Sequence, residues 1–175
     1  MRAVVQRVLN ANVEVDNKII GKIDKGFVVF LGVKNTDNES DCLKLAKKIC
    51  GLRIFEDENG KMNLSPQKVG ADLLVISNFT LYGNTSHGFR PDFLESMPPQ
   101  GAEILYEKFI ENCKNENTFK LVQHGKFRAD MKVNVVNDGP ITIIIDTENL
   151  KWKKKKDLLH LLWLMSTIFH IWDIL

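Results

Sequence analysis

The chain has 175 residues, of which 44% are hydrophobic and 26% are charged, and its net charge is +2. These proportions suffice for one globular core and exclude an intrinsically disordered or collagen-like chain. The small net charge excludes attachment to nucleic acid through bulk charge alone, so an RNA contact needs a local patch.

Cysteine and histidine usage narrows the class of protein further. The three cysteines contain no C-x-x-C pair, which argues against a disulfide scaffold and favours a reducing, cytoplasmic location. The four histidines have no metal-ligand spacing. We therefore expect no metal site and no cofactor.

The first third of the chain has the residue pattern of short strands. Segments 3–8, 13–15, 18–20 and 27–33 are rich in β-branched or apolar residues, and short turn-forming sequences separate the later ones. Short connections favour antiparallel neighbours, so we expect a meander in this part of the chain.

The period of the apolar residues then changes to that of a helix. Between residues 42 and 49, apolar side chains recur at i, i+3, i+4 and i+7. Asp37 or Asn38 can serve as the N-cap, and Gly51 can end the helix. A second amphipathic helix is predicted to begin after Pro98-Pro99.

The remaining apolar segments predict strands at 53–55, 73–81, 119–122, 131–136 and 141–145. Because 73–81 and 141–145 are the most apolar, we expect them to be central. The fold class that follows is α+β, with a largely antiparallel, barrel-like sheet and two main helices packed on it. We expect this domain to span residues 1–150.

Residues 151–175 form an atypical tail. A lysine-rich start precedes apolar residues at helical spacing from 158 to 175, which predicts a C-terminal helix. Contact with a membrane surface is one interpretation. We favour an ordinary interaction segment or an accidental extension, and two aspartates and two histidines in the last 19 residues argue against a transmembrane span.

Two polar motifs lie where apolar strands begin or end. Asn137–Thr142 (Asn-Asp-Gly-Pro-Ile-Thr) leads into the run 141–145 and, taken alone, predicts a turn. Ser77–Leu81 (Ser-Asn-Phe-Thr-Leu) follows the run 73–76. Together they resemble the Asn-x-Gly-Pro-(Val/Ile)-Thr and Ser-Gln-Phe-Thr-Leu motifs of the D-aminoacyl-tRNA deacylase family, with Asn78 in place of glutamine.

The resemblance covers about residues 1 to 149. Further matching segments lie at 1–8, 80–83, 90–91 and 127–133. The resemblance implies an enzyme that hydrolyses the ester bond of D-aminoacyl-tRNA, and of Gly-tRNA(Ala), to free tRNA and amino acid. It also implies a homodimer that binds aminoacyl-tRNA and not DNA. A non-catalytic module of the same fold that binds the tRNA end is the alternative function.

The Ser77–Leu81 motif carries the catalytic prediction. No triad can be argued for its hydroxyls, because a glycine-containing turn separates Thr80 from His87 and the other histidines lie on different segments. The resemblance implies that the tRNA 2′-hydroxyl assists the attack and that backbone N–H groups stabilise an oxyanion. The residues it places around the ester are Ser77, Asn78, Phe79 and Thr80. A covalent role for Thr80 is a lesser alternative, and a locally bonded strand threonine is another.

The Asn137–Thr142 motif carries the specificity prediction. The resemblance implies that Gly139-Pro140 is cis and enters the site of the partner subunit, where its backbone oxygens bind the amino group and leave no space for an L side chain. The residues expected at this chiral filter are Gly139, Pro140, Asn137, Arg7, Ala129 and Met131. The alternative for Arg7 is a surface arginine, and for Ala129 and Met131 it is core packing.

Overall fold

A computed structural model describes residues 1–151. Its strands are β1 (Arg2–Val15), β2 (Lys18–Ile23), β3 (Gly26–Gly32), β4 (Phe55–Glu56), β5 (Met62–Leu64), β6 (Asp72–Ser77), β7 (Val122–His124) and β8 (Lys132–Asp146). Its helices are α1 (Glu39–Cys50), α2 (Pro66–Val69) and α3 (Pro99–Asn115), and short 3-10 helices span Phe79–Tyr82 and Thr147–Asn149. The predicted α+β class is confirmed, with a third, one-turn helix added.

The main sheet is built around β1. The strand order is β2-β1-β3-β6-β7, and β8 pairs with the remaining edge of β1. The first half of β1, Arg2–Val8, pairs with β3, and the second half, Ala11–Val15, pairs with β2. The predicted meander is wrong. β1 runs unbroken for 14 residues, and β3 pairs with the first half of β1, whereas in a meander it would pair with β2. The β3–β6 and β6–β7 pairs are parallel, so the sheet is mixed.

Both main helices begin where the sequence predicts. Asn38 caps α1, since its Oδ1 accepts from the Ser40 N–H at 2.9 Å while the Asp41 carboxylate accepts from the Asn38 N–H at 3.2 Å. Gly51 follows the last turn of α1, and α3 begins at Pro99. The apolar faces of both helices are buried with β1, β3 and β6 in one hydrophobic cluster. A second cluster fills the opposite face of the sheet, which gives the domain its barrel-like form.

At the two motifs, the observed strands differ from the predicted ones. The strand expected over 73–81 ends at Ser77, and Phe79–Tyr82 is a 3-10 helix. The strands expected at 131–136 and 141–145 are halves of one strand, β8, which pairs only with β1 and is therefore not central. Its residues alternate between exposed and half-buried, because only one face of β8 packs on the core.

The predicted tail helix at 158–175 lies outside the described residues. Within residues 1–151, no helix has the length and apolar character needed to cross a membrane. The division at residue 150 remains a prediction.

Candidate active site

A pocket of about 510 Å³ opens at the carboxyl ends of β3 and β6. The two strands are parallel, so their ends emerge side by side, and the Asn78 N–H extends the pairing by donating to the Leu31 carbonyl at 2.8 Å. The chain then turns across the end of β3. Gly32 makes this close approach possible, because a Cβ there would lie 3.1 Å from Leu81 Cβ and 3.2 Å from the Asn78 carbonyl oxygen.

The Ser77–Leu81 motif forms one wall of this pocket as a tight turn. Ser77, Asn78 and Phe79 line it directly, whereas Thr80 is exposed and donates its hydroxyl hydrogen to the Asn78 side-chain oxygen. Phe79 and Thr80 are the first residues of the 3-10 helix, so their N–H groups have no acceptor within it. The Leu81 N–H donates to the Asn78 carbonyl at 3.4 Å. The turn therefore fixes the Asn78 side chain and leaves the N–H groups of Phe79 and Thr80 without an acceptor in the 3-10 helix.

Arg2 attaches this turn to the sheet. Its guanidinium donates to the Leu81 carbonyl at 2.9 Å, lies 4.8 Å from the centre of the Tyr82 ring and pairs with the Asp146 carboxylate at 2.9 Å. The pocket wall is thus connected to both β1 and β8.

Aromatic side chains supply the apolar surface of the pocket. Phe79 is 58% exposed, and its ring meets the Phe93 ring edge to face with centroids 5.0 Å apart. The Ser96 hydroxyl holds the backbone of this wall by donating to the Phe79 carbonyl at 2.9 Å. Phe127 lines the pocket as well. Such a lining suits a planar ring as ligand.

The segment after β7 forms the facing wall. The buried Tyr106 hydroxyl donates to the Val75 carbonyl at 3.0 Å, and the Gly125 N–H donates to the same carbonyl at 2.9 Å. Burial raises the pKa of Tyr106, so its hydroxyl stays protonated and acts as a structural donor. Ala129 and Met131 line the pocket, and Met131 also packs on the second hydrophobic cluster.

The Gly-Pro motif lies elsewhere, as a bulge in β8. The register pairs Gln6 with Thr142 and Val8 with Asn137, so Arg7 alone faces the segment 138–141. Gly139 and Pro140 are exposed and joined by a cis peptide bond.

Hydrogen bonds at its base hold the bulge in place. The Asn137 amide donates to the carbonyls of Arg7 and Ile141, both at 3.0 Å. Arg7 is 4% exposed, and its Nε lies 2.8 Å from the Asp138 carboxylate while its Nη1 donates to the Ile54 carbonyl at 2.8 Å. Arg7 is therefore not a surface arginine. Its side chain is buried beneath the bulge, and the motif residue that it pairs with is Asp138.

The ten predicted site residues fall into two separate groups. Five of them line the pocket: Ser77, Asn78, Phe79, Ala129 and Met131. Thr80 supports Asn78 from outside the pocket. The remaining four lie on the β1–β8 pair: Arg7, Asn137, Gly139 and Pro140. Arg7 also pairs with Phe27 near the start of β3, whereas the pocket lies at Leu31 near the end of that strand. No predicted filter residue of the bulge lines the pocket of its own chain.

Sequence reasoning missed the aromatic residues Phe93 and Phe127. Phe93 follows Arg90-Pro91 and Phe127 opens the segment 127–133, so both lie in or beside segments that the family resemblance had included. Neither residue lies in a segment predicted to be a strand or a helix. Only the fold brings them to the pocket.

Other reactive groups lie away from this site. Residues 1–151 contain no group of three or more histidine, cysteine, aspartate or glutamate side chains that could hold a metal ion. The three cysteines are buried. Burial raises the pKa of Cys42 to about 12, so its thiol is protonated at neutral pH and is not a nucleophile.

Comparison with known proteins agrees with the two motifs. The family model described as D-Tyr-tRNA(Tyr) deacylase matches residues 4–146. The D-aminoacyl-tRNA deacylase of Thermosipho africanus is 52% identical over 150 residues, which cover 86% of this chain and 99% of that protein. That of Clostridium botulinum (strain Loch Maree) is 51% identical over 148 residues, or 85% and 98% of the two chains.

Solved structures share the fold. One described as c-Myc DNA Unwinding Element Binding Protein superposes with a TM-score of 0.79 at 39% identity and covers 83% of this chain and 98% of its own. One described as a probable eukaryotic D-amino acid tRNA deacylase has a TM-score of 0.74 at 14% identity, with the same coverage, and supports the fold alone. The chain therefore belongs to the D-Tyr-tRNA(Tyr) deacylase family, whose members are hydrolases acting on ester bonds.

Proposed function

We propose that this protein hydrolyses the ester bond of D-aminoacyl-tRNA, in the cytoplasm, and releases tRNA and the D-amino acid. The observation that carries the proposal is the pocket at the ends of β3 and β6, whose wall is the Ser77–Leu81 motif, in a chain more than half identical to D-aminoacyl-tRNA deacylases. Its aromatic lining suits the terminal adenine, and the Asn78 amide suits a polar group of the ester.

Backbone geometry and the substrate carry most of the chemistry in this proposal. None of the described residues that line the pocket is a histidine or a cysteine. Water attacks the carbonyl carbon, the ester C–O bond breaks, and the released ribose oxygen takes up a proton with help from the neighbouring 2′-hydroxyl of the tRNA. Positioning of this kind contributes about 7–11 kcal/mol in favourable cases.

The oxyanion that forms during the attack needs donors already in place. The free N–H groups of Phe79 and Thr80 are the proposed donors. Loss of one such donor typically costs about 2.7–4 kcal/mol of transition-state stabilisation.

We assign selection for the D enantiomer to Gly139 and Pro140 of a second copy of the chain. These residues are exposed and lie away from the pocket of their own chain, so a filter at the pocket requires a second copy to supply them. The outer face of β8 supports such an association, because Val136 is 47% exposed and Ile144 is 70% exposed. Backbone oxygens of the bulge bind the amino group, and an L side chain collides with the bulge. Glycine has no side chain to collide, so Gly-tRNA(Ala) is a further proposed substrate.

The activity test compares ester loss from D-Tyr-tRNA and L-Tyr-tRNA. We expect the D-ester to disappear much faster with enzyme than in buffer, while the L-ester is unaffected. Binding of both tRNAs without any acceleration would overturn the enzyme and favour the non-catalytic tRNA-end-binding module.

Mixed dimers test whether the bulge acts across subunits. Ala129→Trp fills the pocket and Gly139→Ala distorts the bulge, and each variant forms one homodimer defective in one part. A mixed dimer contains one subunit of each variant. Its open pocket lies in the Gly139→Ala subunit and its intact bulge in the Ala129→Trp subunit, so the two meet only if the bulge acts across subunits. We expect the mixed dimer to cleave the D-ester selectively. Cleavage of both enantiomers, as in the Gly139→Ala homodimer, would place the bulge in the same subunit as the pocket.

A further inference from the structure

A loop next to the pocket carries a side chain that neither the fold nor the proposed chemistry uses. The loop is closed at its base by Asn84 and Asp92, whose backbones exchange hydrogen bonds of 2.9 and 3.0 Å and whose side chains add one of 3.1 Å. It starts just after the 3-10 helix of the Ser77–Leu81 motif and ends at Phe93, which packs on Phe79 in the pocket wall. The base of the loop is therefore part of the pocket wall.

The tip of this loop presents an unpacked aromatic ring. Phe89 is fully exposed, at 107% of its reference area, whereas Phe27, Phe55 and Phe109 are buried in the core. Gly88 holds the preceding position at φ +73°, with no atom within 4 Å of where a Cβ would lie. Burial of a phenylalanine ring normally stabilises a protein, so this ring is available to stabilise a complex instead.

The charge around Phe89 points to the kind of ligand. Residues 83–91 contain Arg90 and His87 and no carboxylate, and no ion pair within residues 1–151 involves Arg90. The residues next to Phe89 in the loop, His87, Gly88, Arg90 and Pro91, include no other large apolar side chain. A single aromatic ring beside a cation suits an unpaired nucleotide, which offers a flat base to the ring and a phosphate to the guanidinium.

We propose that Phe89 stacks on an unpaired base next to the terminal adenosine of the tRNA and that Arg90 contacts an adjacent phosphate. This inference rests on the proposed function, since it assigns the loop to the single-stranded 3′ end of the same substrate. The loop would then bind the RNA and leave the bond-breaking step to the pocket.

The test separates tRNA binding from ester hydrolysis by using two substrates. D-Tyr-tRNA includes the unpaired nucleotides, whereas D-tyrosyl-adenosine ends at the terminal nucleoside. Phe89→Ala is expected to raise KM for D-Tyr-tRNA about tenfold and to weaken binding of uncharged tRNA by the same factor, the usual range for loss of one stacked base. Neither kcat nor hydrolysis of D-tyrosyl-adenosine should change, and Phe89→Trp should restore the KM.

Two further variants, one at Arg90 and one at a distant control residue, complete the experiment. Arg90→Gln should reduce the salt dependence of tRNA binding by about one phosphate contact, a slope change of roughly 0.7 for single strands. Ile19→Ala, on β2, removes a side chain that is 57% exposed and should change none of these quantities.

Several results would overturn the inference. One is a KM for D-Tyr-tRNA within twofold of wild type in Phe89→Ala, and another is an equal loss of hydrolysis rate on D-Tyr-tRNA and D-tyrosyl-adenosine. A third is a changed oligomeric state in light scattering, which would make Phe89 a contact between copies of the chain. A wild-type protein that binds tRNA through Phe89 without cleaving it would overturn the proposed function and leave this inference standing.

Discussion

The two motifs of this protein lie in contrasting surroundings. The Ser77–Leu81 motif forms one wall of a pocket, next to the Phe93 ring and above the buried Tyr106, whose hydroxyl donates to the Val75 carbonyl. The Gly139–Pro140 bulge is held equally firmly at its base by Asn137 and Arg7, yet its tip faces solvent. One motif lines a concave pocket, and the other projects its backbone outward from the sheet.

This difference shows how rigidity and exposure can be combined. The filter that we propose has to keep its shape without a ligand, since a yielding loop would admit both enantiomers. Burying the Arg7 guanidinium under the bulge achieves this from below and leaves the backbone of Gly139 and Pro140 accessible from above. The contrast predicts that mutations under the bulge change selectivity and stability, while mutations at the pocket change the rate.

The ion pair under the bulge should give the largest effect on stability. Arg7→Met removes the ion-pair partner of Asp138 and the donor to the Ile54 carbonyl. In urea unfolding, we expect a double-mutant cycle with Asp138→Asn to give a coupling of about 1 kcal/mol or more, at or above the upper end for exposed ion pairs. The exposed Lys108–Glu111 pair serves as the comparison and should couple much more weakly. Equal couplings would mean that Arg7 does not hold the bulge.

The shape of the bulge is tested next. Gly139 has φ +124°, and a Cβ there would lie 2.7 Å from Ile141 Cγ1 and 2.9 Å from its backbone nitrogen. Gly139→Ala must therefore change the bulge, and we expect the ratio of L-Tyr-tRNA to D-Tyr-tRNA hydrolysis to rise about tenfold. Gly60→Ala is the matched control, because Gly60 also has positive φ (+71°) but nothing within 4 Å of its Cβ position. An unchanged ratio in both variants would contradict the filter.

Thr80 distinguishes a supporting hydroxyl from a covalent nucleophile. Its hydroxyl donates to the Asn78 side chain, so Thr80→Val should lower kcat by about fivefold, as expected for one lost hydrogen bond of about 1 kcal/mol. Single-turnover hydrolysis of D-Tyr-tRNA measures this rate. Thr118→Val, which removes an exposed hydroxyl bonded to the Glu116 carbonyl, should have no effect. A loss of about a thousandfold or more in Thr80→Val would instead indicate the covalent role.

The smallest effect is expected from the one departure from the family motif. Asn78→Gln restores the longer amide while keeping the same hydrogen-bonding groups, so activity on D-Tyr-tRNA should stay within about threefold of wild type or rise. Steady-state kinetics on the two proteins decides this. A large loss would mean that the contact between Asn78 and Thr80 has adapted the pocket to the shorter side chain.

Local patterns predicted the helices better than the strands. The 3.6-residue period, the Asn38 cap and Pro99 depend on near neighbours in the chain, and all three lie where expected. Strand pairing depends on distant partners, so the meander and the central position of 141–145 were wrong. The strand predicted over 73–81 ends at Ser77, because the chain turns across the end of β3 where Gly32 leaves room for it. The sequence near residue 78 does not identify Gly32 as a neighbour.

The sequence by itself determined the family, the two motifs and the absence of an evident triad, since each depends on which residues are close together along the chain. Only the tertiary structure decided that Phe93 and Phe127 join the pocket, that Arg7 is buried beneath the bulge, and that Gly139 and Pro140 lie away from the pocket of their own chain. The physical reason is that burial and proximity depend on strand pairing across the chain. β1 pairs with β2 and β3 nearby and with β8, whose residues are more than a hundred positions away.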